Sequence, residues 1–106
     1  MPFQPGLSVS VSSATASDYL VLPDNGDYVL SFRSAGAFVL DLQEDDDGSS
    51  ASNFKDAYYD STTKATVDSS TGPQSIRVAG GRAYRMDVTT YNSTITMKAR
   101  RVGPNA

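Results

Sequence analysis

DYVLSFRSAGAFVLDLQ, residues 27–43, is the stretch whose reading decides the fold class. Tyr28, Leu30 and Phe32 fall on one side of an extended chain, and Val29, Ser31 and Arg33 fall on the other. Phe38, Leu40 and Leu42 oppose Val39, Asp41 and Gln43 in the same way. Apolar residues at every second position suit a strand with one buried face, whereas a helix needs a period of about 3.6. Between the two runs lies Ser34-Ala35-Gly36. Strands of matched length joined by a short glycine-bearing link read as a β-hairpin.

The same period returns near the end of the chain. Tyr84, Met86 and Val88 alternate with Arg85, Asp87 and Thr89, and Ile95 and Met97 alternate with Thr94, Thr96 and Lys98. Tyr91-Asn92-Ser93 reads as the turn between those strands. Weaker runs at 7–12, 19–22 and 75–78, and a strand within 58–67, complete the count. Short strands spaced by about 8 to 12 residues predict an all-β, single-domain antiparallel β-sandwich, jelly-roll-like, of seven to eight strands. Its expected core is Tyr28, Leu30, Phe32, Phe38, Leu40, Leu42, Ile76, Val78, Tyr84, Met86, Val88, Ile95 and Met97. Helical spacing occurs only in NFKDAYYD, 53–60, for one or two turns at most. Turns are expected at 23–27, 69–73 and 79–82, where Pro, Gly, Asn, Asp and Ser cluster.

These signals divide the chain into an extended arm and first strand over 1–18, a sandwich over 19–102 and a flexible tail over 103–106. Two prolines in Met1–Gly6 favour an extended arm. No basic and apolar leader opens the chain, and no apolar run approaches the roughly 20 residues that span a bilayer. No membrane partner is expected.

Chemistry is restricted by what is missing. Among 106 residues there is no His, no Cys and no Trp. Disulfides and thiolate nucleophiles are therefore excluded, and the commonest general base and metal ligand is absent. The sequence reads as that of a protein that is not an enzyme, with no catalytic residue, cofactor or metal site. The one dense acidic stretch is QEDDDGSS, 43–50. In a helix-loop-helix calcium loop with Gly48 at its glycine, the slots before it would be Gln43, Asp45 and Asp47, and the final bidentate position would be Phe54. That motif fails, and four adjacent carboxylates, Glu44 to Asp47, repel one another enough to favour a solvated loop.

Charge is segregated along the chain. Residues 1–75 hold eleven acids and three bases, a balance of −8, and residues 76–106 hold one acid and six bases, a balance of +5. Folding could mix the two, because sheets interleave distant segments. Lys98-Ala99-Arg100-Arg101 is the densest cationic run. With a pI near 4.6 it does not read as a nucleic-acid site. It reads as the charged border of an edge strand, or as a patch for an acidic protein. Tyr58 and Tyr59, with Phe54 and Tyr91, could instead form a stacking platform for sugar, although no Trp supports it.

Taken in order, Gly26 to Tyr28, Val39 to Gln43, Asp47-Gly48, Gly80 to Arg85 and Thr94 to Val102 resemble a small β-sandwich protein of bacteriophage virions. The shared features are a turn and Gly-x-Tyr opening a strand, a Val-x-Leu-Gln strand entering an Asp-Gly loop, a Gly-Gly-x-Tyr-Arg strand entry and a Thr-rich last strand closing on Arg-Val. The resemblance spans about residues 20 to 102 and rests on turn glycines and core tyrosines. It implies a capsid decoration, or cement, protein, made in the host cytoplasm and carried on the phage head surface. Its partner would be the major capsid protein, bound by a homotrimer that bridges capsomers. A head or tail accessory such as a fibre or adaptor, and a carbohydrate-binding sandwich, are the alternatives. The expected contact residues are Pro2, Phe3, Gln4 and Pro5 of the arm, laid over a neighbouring subunit, and Lys98, Arg100 and Arg101, facing acidic coat surface.

Overall fold

The computed structural model describes residues 7–22, 26–45, 51–70 and 74–103. Nine strands lie there: β1 (Ser8–Val11), β2 (Ala16–Val21), β3 (Asp27–Ser34), β4 (Val39–Asp45), β5 (Lys55–Asp56), β6 (Thr66–Asp68), β7 (Ser75–Ala79), β8 (Ala83–Thr90) and β9 (Ile95–Gly103). The first sheet has the order β1-β9-β3-β7, and the second has β2-β8-β4-β5, with β6 also on β4. All pairings are antiparallel. β5 and β6 meet the same edge of β4, so the nine segments fill eight positions. This is the jelly-roll arrangement of a β-sandwich.

The period-two positions do what they predict. Twelve of the thirteen expected core residues are buried, and Val78 packs partly buried against them. Val11, Leu20, Leu22, Ala57, Ala65 and Val67 join the same cluster. Each large apolar side chain enclosed there stabilises the fold by about 1.5–3 kcal/mol.

Strand partners differ from the sequence expectation. β3 and β4 are not a hairpin, and neither are β8 and β9, because the two members of each pair lie in different sheets. Each link is an arch that carries the chain across the core. The two arches are stitched together: the Ser34 hydroxyl donates to the Ser93 carbonyl (3.0 Å) and the Asn92 amide to the Ala37 carbonyl (2.9 Å). Gly36 is required at this meeting point, since a Cβ there would lie 2.9 Å from the Cβ of Asn92. Gly81, between β7 and β8, has φ 77°, the left-handed region that glycine enters without strain.

Two further expectations fail. The 53–60 segment forms no α-helix; a 3₁₀ turn over Ala51–Asn53 leads into β5. β9 is not an edge strand but an inner one, hydrogen-bonded to β3 along eight register pairs and to β1 along four. A nine-residue strand with an alternating apolar face is long enough to pair on both sides, and basic residues outward do not prevent it.

Between β5 and β6 a finger leaves the sheet. Ala57 donates to Leu42, Leu42 to Ala65, and Ala65 to Ala57, so both ends of the finger are tied to β4 and to each other. The Asp60 carboxylate accepts from the Thr62 and Thr63 amides at its tip. Those amide bonds hold the Asp60 carboxyl below its ordinary pKa.

Candidate partner-binding surface

Alternation assigns each outward side chain to a face. On the first sheet, Lys98 lies between Ser8 and Ser31, Arg100 beside Val29, Arg77 on the other side of Val29, and Arg33 beside Thr96. Neighbouring strands are about 4.8 Å apart and alternate residues about 6.7 Å, so Lys98 lies about 7 Å from Arg100 and about 8 Å from Arg33, near a Debye length in physiological salt, with Arg77 about 10 Å from Arg100 across β3. Ser8, Ser10, Ser31, Ser75 and Thr96 are short, and Ser10 and Thr96 share a hydroxyl bond of 2.8 Å. The strands of this sheet carry five cations and one acid, Asp27, which Arg77 engages at 2.9 Å.

Arg33, Lys98 and Arg100 make no ion pair or hydrogen bond through their charged groups among the described residues. Of the expected contact residues, Lys98 and Arg100 thus share one flat face. Arg101 does not. It has the opposite parity, and its guanidinium lies against Gly26, where an added Cβ would be 2.8 Å away. Arg33 and Arg77 join the face from strands distant in sequence, which no linear charge run reveals. Pro2, Phe3, Gln4 and Pro5 lie outside the described residues, as do Asp46 and Asp47 of the acidic stretch.

The second sheet presents the opposite charge. Its strands hold seven acids and two bases, Lys55 and Arg85. Asp87 stands between Ala16 and Asp41, and Asp68 lies opposite Val39 on the neighbouring strand. Lys64 answers part of this charge, 3.2 Å from Asp56 and 4.0 Å from Asp41. Gln43 bridges the sheet, donating to Asp56 (3.2 Å) and accepting from Arg85 (2.8 Å). The Gln43 bond, followed by Lys64, lowers the Asp56 pKa, and Asp56 with Asp41 raises that of Lys64. The carboxylates of Asp18 and Asp87 have no cationic partner among the described residues. At the far end Glu44, the first acid of the dense stretch, pairs with Arg82 at 3.0 Å. No group of three or more metal-ligating side chains occurs among the described residues.

A serine hydroxyl shapes the rim of this sheet. Ser17, buried in the β2 bulge, accepts from the Met86 amide and donates to the Asp18 carbonyl, replacing a missing ladder bond. The bulge leaves Asp18 exposed.

Aromatic groups on this side do not form one platform. Phe54 is buried, its ring 5.8 Å from that of Tyr19 and covered by the Arg85 guanidinium at 4.5 Å. Tyr91 packs against the core. Tyr58 and Tyr59 are 51% and 50% exposed on the finger. The expectation that no Ser-x-x-Lys spacing occurs is incorrect, since Ser52 to Lys55 and Ser61 to Lys64 both have it. Lys64 is drawn toward its charged form by Asp56, the wrong direction for a base. An open depression lined by Ser31, Arg33, Ser34, Gln74 and Ser75 borders the cationic face.

Comparison with protein families, with curated proteins and with solved structures finds no match.

Proposed function

We propose that the chain is a bacteriophage capsid decoration protein that binds the assembled head as a homotrimer and bridges capsomers. The observation that carries this reading is the cationic outer face of the first sheet, with Lys98, Arg100, Arg33 and Arg77 held on hydrogen-bonded strands. Such a face suits an acidic protein surface in the assembled particle, where electrostatic complementarity sets orientation and encounter rate. Each contact of so small a body is of limited area, and linked copies gain by avidity. The two-proline sequence Met1–Gly6 is the second contact in this reading.

The experiment is co-sedimentation with assembled heads of the virus that supplies the coat protein. Saturable binding that falls on deletion of residues 1–6, and falls again for Lys98→Glu with Arg100→Glu, is the expected result. No binding to heads ends the proposal.

Exposure of both Tyr58 and Tyr59 favours a second reading, carbohydrate binding at the finger. Glycan-array binding lost on Tyr58→Ala or Tyr59→Ala would select it.

A further inference from the structure

We infer that the outer face of the first sheet binds the outer face of the second sheet on another copy of the chain, head to tail. The inference goes beyond the reading above and gives the cationic face a further acidic partner, a second copy of the chain. The acidic surface is already in hand: the other side of the same sandwich.

Three features make the two faces complementary. First, their charges are opposite: by parity the outer face of one sheet carries four cations (Arg33, Arg77, Lys98 and Arg100) against Asp27, and that of the other carries six acids (Asp18, Asp41, Asp45, Asp56, Asp68 and Asp87) against Arg85. Second, both contain charges left over after pairing within the chain. Among the described residues, Arg33, Lys98 and Arg100 have no acidic partner on their own face, and Asp18 and Asp87 have no basic one. Third, both are open faces of four-position sheets from one sandwich, so they agree in width and in the hand of their twist, and twisted sheets stack with strands roughly aligned.

Like faces repel, which excludes a two-fold contact of either sheet with itself. The contact is therefore heterologous. Because the two faces are opposite sides of one sandwich, stacked copies continue as an open filament and do not close into a ring.

The cationic face could instead serve a nucleic acid. Among the described residues it has no exposed aromatic group on which bases could stack, since the large exposed apolar residues Tyr19, Val21, Tyr58 and Tyr59 belong to the second sheet and its finger.

The test uses the full chain in sedimentation velocity at about 20 mM and about 500 mM salt, conditions in which surface charges are weakly and strongly screened. Association with a dissociation constant at least about tenfold tighter at low salt is expected. A variant with Lys98→Gln and Arg100→Gln, and another with Asp18→Asn and Asp87→Asn, should each stay monomeric. Mixed together they should form a 1:1 dimer that does not grow, because one retains the cationic face and the other the acidic face. Circular dichroism of each variant confirms that it is folded.

A wild-type chain that is monomeric at low salt overturns the inference. So does a mixture that stays monomeric, or a monomer that binds a double-stranded DNA probe. The two proposals fail separately. A chain that binds heads but does not self-associate loses only this one, and a chain that passes the mixing test without binding heads loses only the proposed function.

Discussion

Inside the sandwich, Phe32 of the first sheet and Phe38 beside the second are alike in kind, each buried in the one core cluster to which both sheets contribute. Outside it, Lys98 of β9 and Asp87 of β8 are opposites, each on a face dominated by its own sign. The inward halves share one apolar core, so neither sheet can lose residues there without harm to the other. The outward halves share nothing, and each is free to carry a charge pattern that the core does not dictate. Segregated charge survives folding because β3, β7 and β9, which contribute five cations, all fall in one sheet.

The largest test of this contrast is truncation on either side of the core. Phe32→Ala and Phe38→Ala should each cost about 3–5 kcal/mol in urea denaturation. A small loss at one site and a large loss at the other would mean that the two sheets do not share a single core.

A smaller effect belongs to Tyr84. Its hydroxyl donates to the Ala79 carbonyl at 2.8 Å. Burial, with the Glu44 carboxylate nearby, pushes its pKa up to about 12 from 10.0, and Arg82 pulls partly back. Below about pH 10 the phenol is protonated in folded and unfolded chains alike. Between about 10 and 12 only the unfolded chain ionises, so folding loses up to about 2–3 kcal/mol across that window. Tyr84→Phe should cost about 1 kcal/mol at neutral pH and then flatten the alkaline loss. An unchanged alkaline profile would place the titration elsewhere.

The smallest effect lies on the acidic face. Asp87 stands directly across from Asp41, and like charges in that position oppose pairing. Asp87→Asn should raise stability by about 0.2–1 kcal/mol at low salt, and the gain should fade as salt increases. A loss of stability would show that Asp87 is matched within the chain.

Period two made the core legible in the sequence, because Leu30, Leu40 and Met86 each occupy alternate positions in strands with one buried face. Pairing was not legible. A three-residue link serves a hairpin or an arch equally well, and the choice here is made by contacts such as Ser34 to Ser93, 59 residues apart. The finger hid Ala57 and Ala65 from the core list, since neither sits in a recognisable alternation. Of the candidate surface, the Lys98 and Arg100 pair was visible as a local run, and their separation from Arg101 follows from parity. Arg33 and Arg77 were not visible, because only the β3–β9 and β3–β7 registers bring them alongside.

The position of β9 also sets when this chain can fold. It is the last of the described strands to be made and the inner partner of both β1 and β3. During synthesis, β3 can reach β7 but cannot complete its sheet until residues 95–103 have left the ribosome. β1 has no described strand partner at all until then. Pairing between the two ends of the chain makes closure a late and slow event, as expected where contacts are distant in sequence. Until it happens, the apolar edge of β3 is open to other nascent chains, so the final nine-residue strand acts as the lock on assembly of the monomer.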